Sequence, residues 1–418
     1  MSDPQSFARQ PDPPLDLAIV AWQALPAAIP KAGRNVGGLE TAAWLLARGF
    51  ARRKSTRCSL FVRADKAVQN QRVDQVDLVI DVDPRESVRR DVSGVFESGM
   101  AGAIKKVHPR LLWQIPYLAL TRFRRRPDPP PRQPDPRLSS HQPDIWIAMG
   151  VSGESARVVA TAKRQQRPSI LMIQSNADLD ARYASNPAFK SRYGERSDDC
   201  LFAIQHADRI VCQTQDQMRL LQQNFDREGV LVRNAIDLDR WSSSATQQGD
   251  HVLWIGRYDD FHKRPQLAMD IAEKCPEIPF HMIINRSDPE IERRLRQDCP
   301  PNVTIGDYVG NDDMPKAMGE CRLFLSTGSA AYEGFPNVLL QATAAGKPIV
   351  SLDDFDGYLA RSGAGFHTGH DLDAAAAVIG ELFSGQRVYD RDHAIAFLRE
   401  NHAVDAIIDQ LFRLLADL

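Results

Sequence analysis

One carboxylate and two cations carry the chemistry this sequence offers. Glu333 stands in Tyr332-Glu333-Gly334-Phe335-Pro336-Asn337-Val338-Leu339-Leu340-Gln341, after the apolar run Leu323-Phe324-Leu325 and before a helical stretch that Gly346 closes. The apolar run suits a buried parallel strand, and Pro336 suits the first turn of the helix. Backbone N–H groups and the positive dipole end of that helix make the Gly334–Val338 loop a seat for an anion. Gln341 follows Glu333 with seven residues between them, just over two helical turns, so its amide can face the same cleft. The cations lie upstream, in Gly256-Arg257-Tyr258 and His262-Lys263-Arg264-Pro265. Arginine suits a bidentate phosphate contact and lysine supplies a compact charge. Cations at a helix start oppose the helix dipole, which favours a ligand-binding role for Lys263 over mere decoration.

Parallel sheets must position these groups. Leu15–Trp22 reads as a first buried strand, and strands follow at 58–62, 76–80, 144–148, 169–173, 209–212 and 230–232, with helical patterns between several of them. Gly37-Gly38-Leu39-Glu40 opens a helical pattern after the first strand. Paired glycines there allow close approach of backbone to a ligand or simply tight packing, and the strict G-x-G-x-x-G dinucleotide pattern is absent. A second α/β series begins at His251, with strands near 279–284, 302–305, 322–326, 347–351 and 364–366. In open parallel sheets ligands bind beyond the carboxyl ends of strands, so Arg257, Lys263 and the 333 loop can share one crevice. The expected plan is a lead-in at 1–14, a first domain at 15–236, a linker at 237–250, a second domain at 251–400 and a final segment at 401–418.

A chain of 418 residues exceeds what one core usually serves. The net charge of −2 argues against a general nucleic-acid binder. Six scattered cysteines without a C-x-x-C pair indicate neither zinc nor disulfides, and suit reduced thiols in the cytoplasm. Met1–Pro14 is polar and proline-rich, unlike a secretory signal, and reads as disordered. No run approaches the ~20 apolar residues that span a bilayer. Between about 100 and 140 the α/β rhythm breaks. Residues 84–107 look helical, then Leu111–Leu120 is apolar, with Lys105, Lys106 and Arg110 before it and Arg122, Arg124, Arg125 and Arg126 after it; Pro127–Pro136 is a proline-rich loop. This segment is either a dock for an anionic membrane surface, through 105–126 with Trp113 and Tyr117 at headgroup level, or a core segment with solvated arginines.

Together these stretches resemble the retaining group 1 nucleotide-sugar glycosyltransferases, glycosyltransferase family 4. Glu333–Leu340 with Ala345-Gly346-Lys347-Pro348-Ile349-Val350 looks like the family's E-x7-E region; Gly256-Arg257, Lys263-Arg264-Pro265, Asn234-Ala235-Ile236-Asp237 and Gly37-Gly38-Leu39-Glu40 support it. The resemblance implies the α/β GT-B fold, with two Rossmann-like doubly wound domains facing a cleft and a last helix at 401–418 crossing back to the first. It implies that Glu333 holds donor-sugar hydroxyls and that Arg257 and Lys263 neutralise a diphosphate. Gly37, Gly38, Gly256, Gly334, Phe335, Pro336, Asn337 and Val338 then surround the donor, no metal or other cofactor is required, and anomeric configuration is retained. The acceptor, a glycan or lipid-linked molecule, is expected on the first domain. Two departures stand out. The family's second glutamate is Gln341, which keeps an acceptor for ribose but loses the charge. No histidine follows 144–148; Ser152 and Glu154 are the candidate acceptor contacts there, with helix capping the alternative use of Ser152. Rival readings are a donor-binding or scaffolding relative with weakened turnover and a GT-B sugar-nucleotide epimerase.

Overall fold

The computed structural model describes residues 13–30, 36–64, 68–83, 85, 88, 92, 109–121, 130–242, 249–285, 289–306, 308–416 and 418. Most of the predicted helix at 84–107, the lysines and arginines at 105, 106, 122 and 124–126, residues 1–12 of the lead-in and residues 243–248 of the linker lie outside them.

Short apolar runs form two sheets. The first holds β1 (Leu15–Val20), β2 (Thr56–Ala64), β3 (Gln71–Val73), β4 (Val76–Val82), β5 (Ile145–Met149), β6 (Ser169–Met172), β7 (Arg209–Cys212) and β8 (Val230–Leu231), in the order β3-β4-β2-β1-β5-β6-β7-β8. Every pairing is parallel except β3 with β4, an antiparallel hairpin at the edge that the strand runs did not reveal. The second sheet is all parallel and runs β11 (Val303–Gly306), β10 (Phe280–Asn285), β9 (Val252–Arg257), β12 (Leu323–Ser326), β13 (Ile349–Ser351), β14 (Gly365–His367). In each sheet the first strand is flanked by its second on one side and a later strand on the other: β1 lies between β2 and β5, and β9 between β10 and β12. Those are the switch points where adjacent loops splay apart and leave a crevice. Strands β5, β6 and β12 are buried throughout, as expected of sheets covered on both faces.

Seven helices shape the cavity, the crossing between domains and one exposed apolar face: α1 (Gly38–Ala51), α2 (Leu111–Thr121), α3 (Gly153–Gln165), α4 (Pro265–Glu273), α5 (Asn337–Ala344), α6 (Arg391–His402) and α7 (Val404–Leu415). The chain passes between domains twice, and the two passages run side by side: Ile236 N–H donates to His402 O at 2.8 Å, and Val404 N–H donates to Ile236 O at 3.2 Å. His402 is buried there with Nδ1 2.8 Å from Asn234 O, and burial pushes its imidazole down to about 4, so it packs as a neutral ring.

After the second passage α7 lies on α1 and joins the first domain's core through Ile407, Ile408 and Leu411. Gly49 is the contact point. A Cβ there would come 2.6 Å from Ile408 Cγ1 and 2.8 Å from Val404 Cγ1. Gly49→Val should therefore lower stability by about 1–3 kcal/mol, the usual cost of overpacking, with a fall in the urea midpoint. An unchanged midpoint would show that the two helices do not depend on this close approach. All six cysteines are unpaired, five of them buried. Among the described residues no helix is long and apolar enough to cross a membrane.

Candidate active site

The crevices of the two sheets face one another and enclose a cavity of about 780 Å³, within the size range of small-molecule sites. All the site residues named from the sequence line it: Gly37, Gly38, Ser152 and Glu154 from the first domain, and Gly256, Arg257, Lys263, Glu333–Val338 and Gln341 from the second.

The cationic wall is built by the turn after β9. Asp259, almost fully buried, accepts from the backbone N–H of His262 at 2.6 Å and of Lys263 at 2.9 Å, which turns the chain back toward the sheet. Thr327 Oγ1 donates to Lys263 O at 2.7 Å and accepts from the buried Trp254 Nε1 at 2.8 Å, pinning Lys263 to β12. Lys263 Nζ then donates to Glu333 Oε2 at 2.7 Å. The other oxygen of Glu333, Oε1, is buried without a hydrogen-bond partner among the described residues, beside Gly328. Arg257 is about half exposed and points its Nη2 to within 3.2 Å of His262 Nδ1. Burial, helped by the neighbouring cations, pushes His262 down to about 4, so its neutral ring can accept that bond. Arg264 turns away: it donates to Thr327 O and Gly328 O and pairs with Asp353, holding the loop rather than facing the cavity.

Several residues reach the site for reasons the sequence did not disclose. Gly256 is required by packing, since a Cβ would sit 2.3 Å from the Trp254 ring and 3.0 Å from Lys263 Cβ. Phe335 directs its ring into the core against Tyr358 and His402, and its carbonyl accepts from Asn234 Nδ2 at 3.2 Å. Pro336 is the N-cap of α5 rather than a first-turn residue, with extended backbone and Asn337 opening the helix. Gly346 follows α5 at positive φ. The N-terminus of α5 has no side-chain cap and no acidic residue in its first turn, which leaves its N–H groups and dipole for a ligand. Asn337 spans the cleft, accepting from Asn234 at 2.6 Å and donating to Gly38 O at 3.3 Å.

On the first domain's wall, Ser152 caps α3 by accepting from Ser155 N–H at 3.2 Å. The Glu40 carboxylate lies against Gly37, where a Cβ would sit 2.5 Å from its Oε2, and burial raises its pKa. Tyr193, Glu195, Gln174 and Gln213 also line the cavity and went unnoticed in the sequence. Tyr193 and Glu195 come from an irregular loop with no periodic signal; the Tyr193 hydroxyl lies 3.3 Å from His262 Nδ1 across the domain boundary. Glu195 Oε2 accepts from Gly153 N–H at 2.9 Å. Burial raises the carboxyls of Glu154 and Glu195 above their ordinary range. Tyr308 and Val309 are on the lining as well. Among the described residues no group of three or more histidines, cysteines or carboxylates could hold a metal ion.

Two Rossmann-like domains joined by a double crossing make up the GT-B fold. Residues 249–385 match the family described as "Glycosyl transferases group 1". The chain is 24% identical over 135 residues to the phosphatidyl-myo-inositol mannosyltransferase of Mycobacterium tuberculosis, a match that covers 30% of this chain and 35% of that protein. The chain thus spans about a third of the length of the curated relatives it matches. In fold it is similar to Anabaena HepE, solved in complex with UDP and glucose, with a TM-score of 0.64 and 15% identity over 97% of this chain and 100% of the other. The sucrose-phosphate synthase of Thermosynechococcus elongatus superposes with a TM-score of 0.63 at 13% identity, over 96% of this chain and 98% of its own.

Proposed function

We propose that this protein is a retaining, metal-independent glycosyltransferase of family 4 that moves a sugar from a nucleotide-diphosphate sugar to a glycan or lipid-linked acceptor. The observation that carries this reading is the juxtaposition at one cavity of the uncapped α5 N-terminus, Arg257 and Lys263, with Glu333 held 2.7 Å from the lysine. The helix end and two cations supply fixed positive charge where a diphosphate leaving group accumulates negative charge, the task a divalent ion performs elsewhere. Glu333 offers carboxylate oxygens to sugar hydroxyls, and Gln341 offers an uncharged amide to the ribose. The leaving phosphate then assists removal of the acceptor proton as the new bond forms on the same face. UDP, present in the HepE complex, is the first nucleotide to try.

A melting screen of UDP, GDP, ADP and their sugars should show at least one ligand raising the transition, because binding to the folded state alone stabilises it. The same donor should hydrolyse slowly without acceptor, and Glu333→Ala should slow that hydrolysis about 10²-fold. Equal rates in both proteins would remove the role given to Glu333, and no shift with any nucleotide would favour the scaffolding alternative.

We further propose that the first domain docks on an anionic membrane surface. Helix α2 presents Leu112, Trp113, Ile115 and Leu120 outward while its Gln114 is buried, the reverse of an ordinary surface helix, and Arg110 beside it is exposed. Flotation with vesicles containing acidic lipid should carry the protein upward, less so with neutral vesicles or after Trp113→Ser/Ile115→Ser. Failure to float with either vesicle would remove this reading.

A further inference from the structure

The two walls of the cavity carry opposite charge. Among its described lining residues the second domain contributes Arg257 and Lys263 against Glu333, whereas the first domain contributes Glu40, Glu154, Asp178 and Glu195 and neither lysine, arginine nor histidine. The arginines behind that wall are engaged: Arg63 with Asp81 at 3.4 Å, Arg137 with Asp81 and Asp135, and Arg157 with Asp135. Arg63 also approaches Glu154, at 3.6 Å, which offsets part of one charge and leaves the wall net acidic.

The helix ends are disposed in the same sense. An uncapped N-terminus invites an anion, and α5 is left that way. The two helices that point their N-termini into the cavity from the first domain carry the protein's own carboxylates there: Glu195 Oε2 accepts from Gly153 N–H of α3, and Glu40 Oε2 lies against Gly37 at the start of α1. Asp178 is likewise spent on the N–H groups of Gln174 and Ser175. Glu154 keeps more than a third of its side chain exposed. Independently, Gln213 on the same wall is 5% exposed and leaves Oε1 without a partner among the described residues. The acceptor side therefore offers hydrogen-bond acceptors and negative charge, and no seat for an anion.

We infer that the acceptor is a hydroxylated molecule whose cleft-facing groups donate hydrogen bonds and carry no negative charge, with Glu154 and Glu195 its specificity-determining contacts. Phosphorylated and carboxylated acceptor groups are rejected at this wall. This rests on the glycosyltransferase reading above, and it narrows the acceptor by charge: neutral polyols and amine-bearing sugars fit, and the amine-bearing ones gain most from two carboxylates at close range.

The test uses the full chain, saturated for the binding measurements with the nucleotide that raises its melting temperature and supplied for the transfer measurements with that nucleotide's sugar as donor. Four methyl hexosides differing in one group, neutral, amino, uronate and 6-phosphate, are compared as acceptors and as ligands by calorimetry. The neutral and amino members should bind and accept sugar with at least about tenfold higher kcat/KM than the uronate and phosphate, and the ratio should shrink in high salt. Glu154→Gln and Glu195→Gln should each narrow the ratio between amino and uronate members, which a purely structural loss would not do. Anionic members that bind as well as or better than the others would overturn the inference, as would binding by none of the four. Donor hydrolysis without acceptor, measured first, separates these outcomes: if no nucleotide sugar is hydrolysed, the glycosyltransferase reading itself falls.

Discussion

Lys263→Met should reduce transfer about 10²–10³-fold, the loss found when one preorganised charge is taken from a developing anion. The substitution keeps the length and apolar stem of the side chain while removing the ammonium. It also leaves Glu333 in difficulty. Glu333 is 12% exposed, its Oε2 depends on Lys263 and its Oε1 already lacks a partner among the described residues. A largely buried carboxylate deprived of its cation costs about 1–3 kcal/mol, so the single variant should also be less stable. Lys263→Met/Glu333→Gln separates the two effects. The double variant should recover most of the stability in a denaturant titration and none of the turnover. Activity within threefold of wild type in Lys263→Met would exclude the lysine from the diphosphate seat.

Gly334→Ala should cost about hundredfold in kcat/KM with little change in the melting temperature. One methyl group is large here because the loop meets the other domain through backbone and immobile side chains. A Cβ on Gly334 would lie 2.5 Å from Gln217 Nε2, 3.1 Å from Gln174 O and 3.2 Å from Gln213 Oε1. Gln217 is fully buried and its Oε1 accepts from Gln213 N–H at 2.8 Å, so it has no room to swing away. The loop must withdraw instead, taking Glu333 out of its backbone bridge to Ser175 and Asn176 off Ala330 O. A displacement near 1 Å at reacting groups is enough for such a loss. Each domain keeps its own core, which is why the melting temperature is expected to stay put. Near-normal kinetics in this variant would show that the seam between the loop and the glutamines is not closed during turnover.

Strands such as Val252–Arg257 and Leu323–Ser326 were legible because burial on both faces demands continuous apolar runs, and that property is written locally. The loops after them were legible too, since glycine, proline and charge mark them. What could not be read was which demand each residue answers. Gly256 looks like a ligand-approach glycine and is one that makes room for Trp254, a neighbour two residues away whose ring direction depends on Thr327. Arg264 and Lys263 are adjacent and alike in charge, yet one pairs with Asp353 and the other with Glu333, a choice fixed by the left-handed backbone of Arg264. Tyr193 and Glu195 gave no signal because a loop's destination is set by tertiary packing rather than by its own composition. Helix α2 escaped notice as a helix because Pro116 lies inside it.

The double crossing fixes an order of events at the ribosome. Strand β8 ends at Leu231, so the first domain's sheet can be complete when little more than half of the chain has emerged, yet its core still lacks Ile407, Ile408 and Leu411. Those side chains are made only after the second domain's strands. Until they arrive, Ala43 and Phe50 on α1 have no cover from α7, and the second domain has meanwhile had time to fold. The N-terminal of the two domains is therefore sealed after the other has been made, and the two cannot be cut apart at the linker without leaving one of them open.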